Sequence, residues 1–378
     1  MIAIVGAGPA GMAAAVSARE CNQPVTLIDD NPTPGGQIWR GGEGSEWFEK
    51  LIRSGAKLML GARVIGGDVN RRTLRIETRT HAGDLEYEKL ILATGSRELF
   101  LPFPGWTLPN VMGVGGLQAM VKTGMPIEGK RVVVAGTGPL LLAVAAFLRK
   151  RGAIVPAVVE QARWDKLLPF MASLPPGKLL QAAALGTAFY QADNWVVAAE
   201  GTGKLERVRL RAGNTIQCDY LAVAYGFVEN SELAEHFGCD AIPGTGGVDL
   251  SIVEGRIVGY RAAGREDLAR KWQPERAKQL RFAEALNRTF ELRPELRQLA
   301  KPSTMVCRCE DVTLGQLRSA DSWRSAKLHF RCGMGPCQGR VCGPAVNFLF
   351  GWQSDSVRPP VFPARVSSLL SNREPTTK

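Results

Sequence analysis

Histidine is scarce in this chain: His81, His236 and His329 are the only three in 378 residues, and none stands in a nucleophile or base constellation. Surface or otherwise satisfied polar roles are expected for all three. Long apolar runs are missing as well. The longest, PLLLAVAAFL at 139–148, is far short of a bilayer span, so no transmembrane segment is expected. No basic stretch and apolar core precede MIAIVGAG, which already reads as strand and turn, so no secretory peptide is expected. These absences predict a cytoplasmic protein, with peripheral attachment at the inner face of the membrane left open. In that compartment free thiols and metal thiolates outnumber structural disulfides. Dithiol motifs of the C-x2-C or C-x4-C kind are absent outside one C-terminal cluster. Cys21, Cys218 and Cys239 are lone and read as buried small hydrophobes, which excludes a catalytic dithiol elsewhere in the chain.

What is present is ample for two to three domains with real cores: 45% apolar residues and 42 glycines. The net charge of +11 is uneven, with twelve Lys/Arg against six Asp/Glu in residues 256–301. That segment lacks aromatic interleaving and Gly/Arg repeats. It reads as a solvated helical face or subunit contact, and no nucleic-acid partner is expected.

The N-terminus carries a complete dinucleotide-binding pattern. The short strand IAIV runs into GAGPAG, then a small-residue helix, then VTLID ending on Asp29. Gly6 makes the turn, Gly8 lets the backbone approach a pyrophosphate, and Gly11 lets helix and strand close-pack. Pro9 and Ala10 open the helix, whose N-terminus faces the phosphates, and Asp29 can accept from a ribose diol. NPTPGGQIWR follows, placing Gly35, Gly36, Gln37 and Arg40 just after that acid. Ala93, Thr94 and Gly95 then end an apolar strand in LILATG. With these motifs residues 1–265 resemble the two-dinucleotide-domain, glutathione-reductase-like flavoproteins, which implies FAD beside the ATG segment.

A second copy begins at 131, RVVVAGTGPLLLAVAAFLRKRGAIVPAVVE, with Gly136, Gly138, Pro139 and the terminal Glu160. Leu141 stands where the third glycine belongs, and it predicts helix and strand pushed apart or an altered nucleotide pose. An adenine nucleotide, ATP or NAD, held for structure is left open there, and Glu160 disfavours the 2′-phosphate of NADP.

Five of eight cysteines lie in TMVCRCEDVT and FRCGMGPCQGRVCGP. Cys307 and Cys309 form C-x-C, and Cys337 and Cys342 form C-x4-C. Two close pairs suit a four-thiolate site, hence zinc or iron–sulfur. A zinc knuckle usually begins C-x2-C, which is not seen here. C-x-C followed by G-M-G-x-C-Q-G resembles the small [2Fe–2S] domain of bacterioferritin-associated ferredoxin (BFD-like). Cys332 also forms C-x4-C with Cys337 and is an alternative ligand, but the likeness favours Cys307, Cys309, Cys337 and Cys342 and leaves Cys332 beside them.

Taken together, GGQIWR, LPFPGWTLPNVMGVGGLQAM, VVVAGTGPLLLAVAAFL, YGFVENSELAEHFGC and the cysteine motif resemble the alpha-type FAD/[2Fe–2S] subunit of heteromeric amino-acid dehydrogenases. Opine oxidase, hydroxyproline and dye-linked proline dehydrogenases and hydrogen cyanide synthase are such complexes. The resemblance implies an electron-transfer subunit without catalytic residues of its own. It also implies a beta-type flavoprotein partner like D-amino-acid or sarcosine oxidase, with a small ferredoxin-like gamma subunit left open. The chain departs from the family in being shorter. It has no Gly-Asp pair between 239 and 265, and it looks trimmed after Arg40 and in LLQAAALGTAFYQADNWVVAAEG.

The expected architecture is α/β: two dinucleotide-binding, glutathione-reductase-like domains plus a small helical BFD-like [2Fe–2S] domain at the C-terminus. The expected boundaries are 1–115 for the FAD domain, 116–225 for the inserted nucleotide domain and 226–265 for the return. A basic helical linker at 266–300, the cluster domain at 301–355 and a Pro/Ser-rich tail at 356–378 complete it.

Overall fold

The structure, a computed structural model, describes residues 1–40, 46–174, 189–353 and 357–370. The stretch after Arg40 at 41–45, residues 179–188 of LLQAAALGTAFYQADNWVVAAEG and the end of the tail at 371–378 lie outside the described residues. The chain divides into two compact units. The first comprises residues 1–97, 229–283 and 355–378, the second 98–228 and 284–354.

The first unit is built on four parallel strands in the order β3-β2-β1-β4. These are β1 (Ile2–Val5), β2 (Val25–Asp29), β3 (Lys57–Leu60) and β4 (Lys89–Leu92). β1 and β2 are buried at every position, so they read as unbroken apolar runs rather than alternating ones, as strands covered on both faces must. Helix α1 (Pro9–Glu20) covers β1 and packs along the Val248–Ala262 helix. The fit is close because both helices present small residues. A Cβ on Gly255 would come within 2.2 Å of the Ala10 carbonyl oxygen, and one on Gly259 within 2.4 Å of that of Ala14. A three-stranded antiparallel ribbon (Ala62–Asp68, Thr73–Thr78, Ala82–Glu86) completes the unit. The described part of the tail packs on that ribbon: Val361 joins its core with Leu74 and Ile76, and Arg365 and Ser368 donate to the Glu77 carboxylate.

The second unit repeats the plan with five parallel strands ordered β8-β7-β6-β9-β5. They are β5 (Val111–Gly113), β6 (Arg131–Gly136), β7 (Ile154–Glu160), β8 (Tyr190–Gln191) and β9 (Tyr220–Ala224). Helix Leu140–Lys150 follows β6 and starts one position later in its motif than α1 does in GAGPAG. The Leu141 side chain is fully buried with Leu117, Val132 and Val144, so the missing third glycine has become a core residue. The C-terminal segment belongs to this unit. Leu296, Leu299, Val341 and Phe348 pack in one core with Trp195, Leu205 and Leu221. The indole N–H of Trp106 donates to the Met305 carbonyl at 2.7 Å and ties the LPFPGW loop to the cysteine hairpin.

Candidate functional site

In the first unit the glycine turn is shaped for an anion. Gly6 takes φ +104° and lies so close to β4 that a Cβ would fall 2.1 Å from the Ala93 carbonyl oxygen. A Cβ on Gly11 would stand 1.7 Å from the Gly6 carbonyl oxygen. Gly8 caps α1 with no side-chain hydrogen bond, and Pro9 follows at the first turn. The first N–H groups of α1 therefore have no capping side chain, and the positive end of the helix lies behind them. Gly36, at φ +60°, crosses Gly8 so closely that its Cβ would be 3.0 Å from the Gly8 Cα. Gly35 anchors this crossing by donating to the Ala7 carbonyl at 2.8 Å.

Asp29 ends β2 beside the turn. Its Oδ2 accepts from Ala7 N at 2.6 Å, and its Oδ1 accepts from Asn31 N and Nδ2. Arg40 in turn donates to Asn31 Oδ1 at 3.0 Å, while Gln37 is exposed. On the β4 side, Thr94 Oγ1 donates to the Asn230 carbonyl and Asn230 Nδ2 donates back to the Thr94 carbonyl. Gly244 passes against Gly95, and its carbonyl accepts from Ser96 Oγ. The segment where a Gly-Asp pair was expected thus runs directly along the end of β4 into the Val248–Ala262 helix. That helix has Gly247 as its cap, without a side-chain hydrogen bond. The structure therefore gathers Gly6, Gly8, Gly11, Asp29, Gly35, Gly36 and Ala93–Gly95 at one end of the sheet. Asn31, Asn230, Ser96 and Gly244 join them without having been foreseen from the sequence, although Asn230 sits in the quoted YGFVENSEL stretch.

The second module has the same frame with a closed front. A Cβ on Gly136 would meet the Ala224 carbonyl oxygen at 1.8 Å, as Gly6 meets Ala93. Glu160 plays the part of Asp29: Oε2 accepts from Gly138 N at 2.7 Å, and Oε1 accepts from Thr137 Oγ1 and Ala162 N. Here, however, the carboxylate is 0% exposed. Gln161, equally buried, donates to Thr137 Oγ1 and to the Glu291 carbonyl, and accepts from Arg293 N. The chain at 290–293 thereby roofs the position a ribose would take. Burial raises the Glu160 carboxyl to about 7, against the donors from Ala162, Gly138, Thr137 and Gln161 that favour its ionised form.

A carboxyl raised in the folded state binds more protons there than when unfolded between its two pKa values. The stability of the native protein should therefore fall as pH rises from about 4.5 to 7, by on the order of 3 kcal/mol. Replacing Glu160 by glutamine should remove that slope, which urea melts at pH 5 and pH 8 would measure.

All five C-terminal cysteines come together. The Sγ atoms of Cys307, Cys332 and Cys342 lie within 4.8 Å of one another, all three buried. This differs from the expected set, because Cys332 joins the inner group while Cys309 and Cys337 stand outside it. The cause is local. Arg331 ends the Trp323–Phe330 helix in the left-handed region, at φ +60°, and the fully buried Cys332 follows it. Cys337 lies near enough to Cys342 and Cys309 to feel both, so the five sulfurs form a loose chain of neighbours around the inner three rather than one four-sulfur group.

Within that chain Cys307 is lowered to about 2, first by hydrogen bonds from Cys332 and Cys342, then by the N–H groups of Gly333 and Glu310. Cys337 is lowered to about 5, first by Cys342, with the Val341 and Gly339 N–H groups adding to it. Cys332, which donates to Cys307, is raised to about 12, and Cys342 is raised by the same cause. Backbone N–H groups aimed at sulfur and a soft, thiol-only donor set fit a thiolate-bound metal or cluster. The remaining cysteines are separate: Cys218 is buried, Cys21 half-buried, and Cys239 exposed rather than buried as expected.

Comparison with known proteins agrees with this geometry. The model of the pyridine nucleotide-disulphide oxidoreductase family matches residues 1–249. The chain belongs to that family. Among relatives of this oxidoreductase, hydrogen cyanide synthase subunit HcnB of Pseudomonas aeruginosa is 30% identical, covering 94% of this chain and 92% of its own. That alignment spans 434 positions, more than the 378 residues here, so it opens gaps in this chain, in keeping with its expected shortness. An opine oxidase subunit from Rhizobium meliloti is 27% identical over 98% of both chains. In fold, the oxidoreductase is similar to L-proline dehydrogenase from P. horikoshii. The TM-score is 0.68 at 18% identity, over 97% of this chain and 78% of that one. Among the described residues no helix is long and apolar enough to cross a membrane.

Proposed function

We propose that this oxidoreductase is the FAD- and [2Fe–2S]-containing electron-transfer subunit of a heteromeric dehydrogenase acting on an amino or imino acid of the proline/hydroxyproline, opine or glycine type. The substrate is oxidised on a partner flavoprotein subunit. The observation that carries this reading is the pairing of a glycine cradle in one unit with a cluster of cysteines in the other. No redox dithiol accompanies the cradle among the described residues. The Gly6–Gly8 turn and the start of α1 would hold the FAD pyrophosphate, and Asp29 its ribose. Bound there, FAD supplies the capacity to take electrons in pairs and release them singly. Cys307, Cys309, Cys337 and Cys342 would hold the cluster, with Cys332 packed against it. The names of the relatives, both given as subunits of a synthase or an oxidase, support a multi-subunit setting.

An NADH-dependent reductase is the alternative, and the roof over Glu160 argues against it. Anaerobic absorption spectra with flavin, iron and sulfide assays test the choice. Flavin and about two irons per chain, bleached in the complex by an amino acid and not by NADH, is the expected result. Bleaching of the isolated chain by NADH would overturn it.

A further inference from the structure

The LPFPGWTLPNVMGVGGLQAM stretch carries no nucleotide or metal motif, yet it builds most of one wall of a cavity of about 560 Å³ in the second unit. One end of this cavity is lined by Cys307, Cys309, Cys337 and Cys342, the four cysteines expected as cluster ligands. The rest is apolar, with Phe100, Trp106, Leu108, Met112, Met120 and Met125 as its main surfaces. A four-sulfur site with two irons occupies only the cysteine end. The apolar end remains as a chamber of the size and character of small-molecule sites, walled by aromatic and thioether side chains.

Three polar groups interrupt it. Asn110, Tyr220 and Arg308 line the cavity, and none of their side chains has a hydrogen-bond partner among the described residues. Asn110 is held at φ +75°, in the left-handed region that asparagine tolerates better than most residues. A backbone fixed in that way, next to Pro109 and at the start of β5, gives its amide a set position.

We infer that this chamber binds a quinone: a flat, uncharged ring whose faces meet Trp106 and the methionines and whose carbonyl oxygens accept from Asn110, Tyr220 or Arg308. A charged nucleotide or a sugar would leave polar groups unpaired on these walls, which opposes their entry. The inference names the electron acceptor of the site described under the proposed function and rests on that reading for its role. The chemistry balances: oxidation of a substrate C–N bond to C=N releases two electrons and two protons, and the quinone takes up the same number to become the quinol. A cluster held by the cysteines would supply a single-electron path to the ring.

The test uses the full chain, purified anaerobically, with menadione as the probe and equilibrium dialysis as the readout. Iron and labile sulfide are assayed on the same sample. Saturable uptake is expected, weakened about tenfold or more by Met112→Trp, which fills the chamber, and by Asn110→Gly, which removes the amide while keeping the backbone angle. Thermal melts check that both variants fold. Absence of saturable uptake, or uptake unchanged in both folded variants, overturns the inference. Uptake by a chain without iron upholds the chamber while removing the cluster reading, and iron without uptake does the reverse.

Discussion

Chain carrying Cys342→Ser, purified anaerobically, is expected to lose almost all of its iron and labile sulfide, whereas Cys332→Ser keeps them. Cys342 sits at the junction of the sulfur chain, linked to Cys307, Cys332 and Cys337 together, so its loss removes a contact from each half of the site. Serine offers a hard alkoxide precursor in place of a soft thiolate and is a poor substitute for iron. Cys332 decides between two ligand sets. The inner grouping contains it, while the spacing of the motif favours Cys309 and Cys337. Iron retained in Cys332→Ser and lost in Cys309→Ser supports the C-x-C and C-x4-C set. The opposite pattern would replace it with a set built on the inner three. Metal analysis and low-temperature EPR on all three variants give the answer, and near-native melting of each excludes simple unfolding.

The second large effect concerns one position in two copies of the same motif. Gly11→Leu should yield protein without bound flavin and with stability reduced by about 3 kcal/mol or more, since its Cβ alone would stand 1.7 Å from the Gly6 carbonyl oxygen. That contact is backbone, not the end of a flexible side chain, so α1 must move away from β1 and the pyrophosphate cradle is lost. Leu141→Gly makes the reverse change in the second module. Leu141 is a fully buried core residue, so its removal leaves a cavity and costs roughly 3–5 kcal/mol. It opens no nucleotide site, because Gln161 and the chain at 290–293 still roof Glu160. Urea melts report the two stabilities, and flavin absorbance reports occupancy. Flavin retained in Gly11→Leu would remove the cradle from the first unit.

Much of this was legible in the residues. The strand–glycine–helix–acid order fixes local geometry within about thirty residues, and both modules follow it, down to the carboxylate accepting from the glycine turn. The cysteine spacing was legible in part: Cys307 and Cys342 share one buried group, with Cys332 in place of Cys309 and Cys337. What was not legible depends on residues far apart in the chain. Leu141 looked like a wedge between helix and strand, but it packs as core against Leu117, Val132 and Val144. The roof over Glu160 comes from residues some 130 positions downstream, which no motif announces. The spacing of Cys332 allowed it as a ligand, but its place in the inner group follows the left-handed end of a helix. The chamber beside the cysteines was hidden for the same reason, since its two ends come from stretches about two hundred residues apart, joined through the Trp106–Met305 hydrogen bond.

The shared core of the second unit also bears on how the protein is made. Trp195, Leu205 and Leu221 cannot finish burying their side chains until Leu296, Leu299, Val341 and Phe348 have left the ribosome. During synthesis this half of the molecule must wait, with apolar surface uncovered, while the intervening residues of the other unit emerge. Such a nascent chain is exposed to aggregation late in translation and depends on holding chaperones more than its size suggests. Stop codons before residue 296 would leave this half without its closing layer, even though every strand of its five-stranded sheet had already been made.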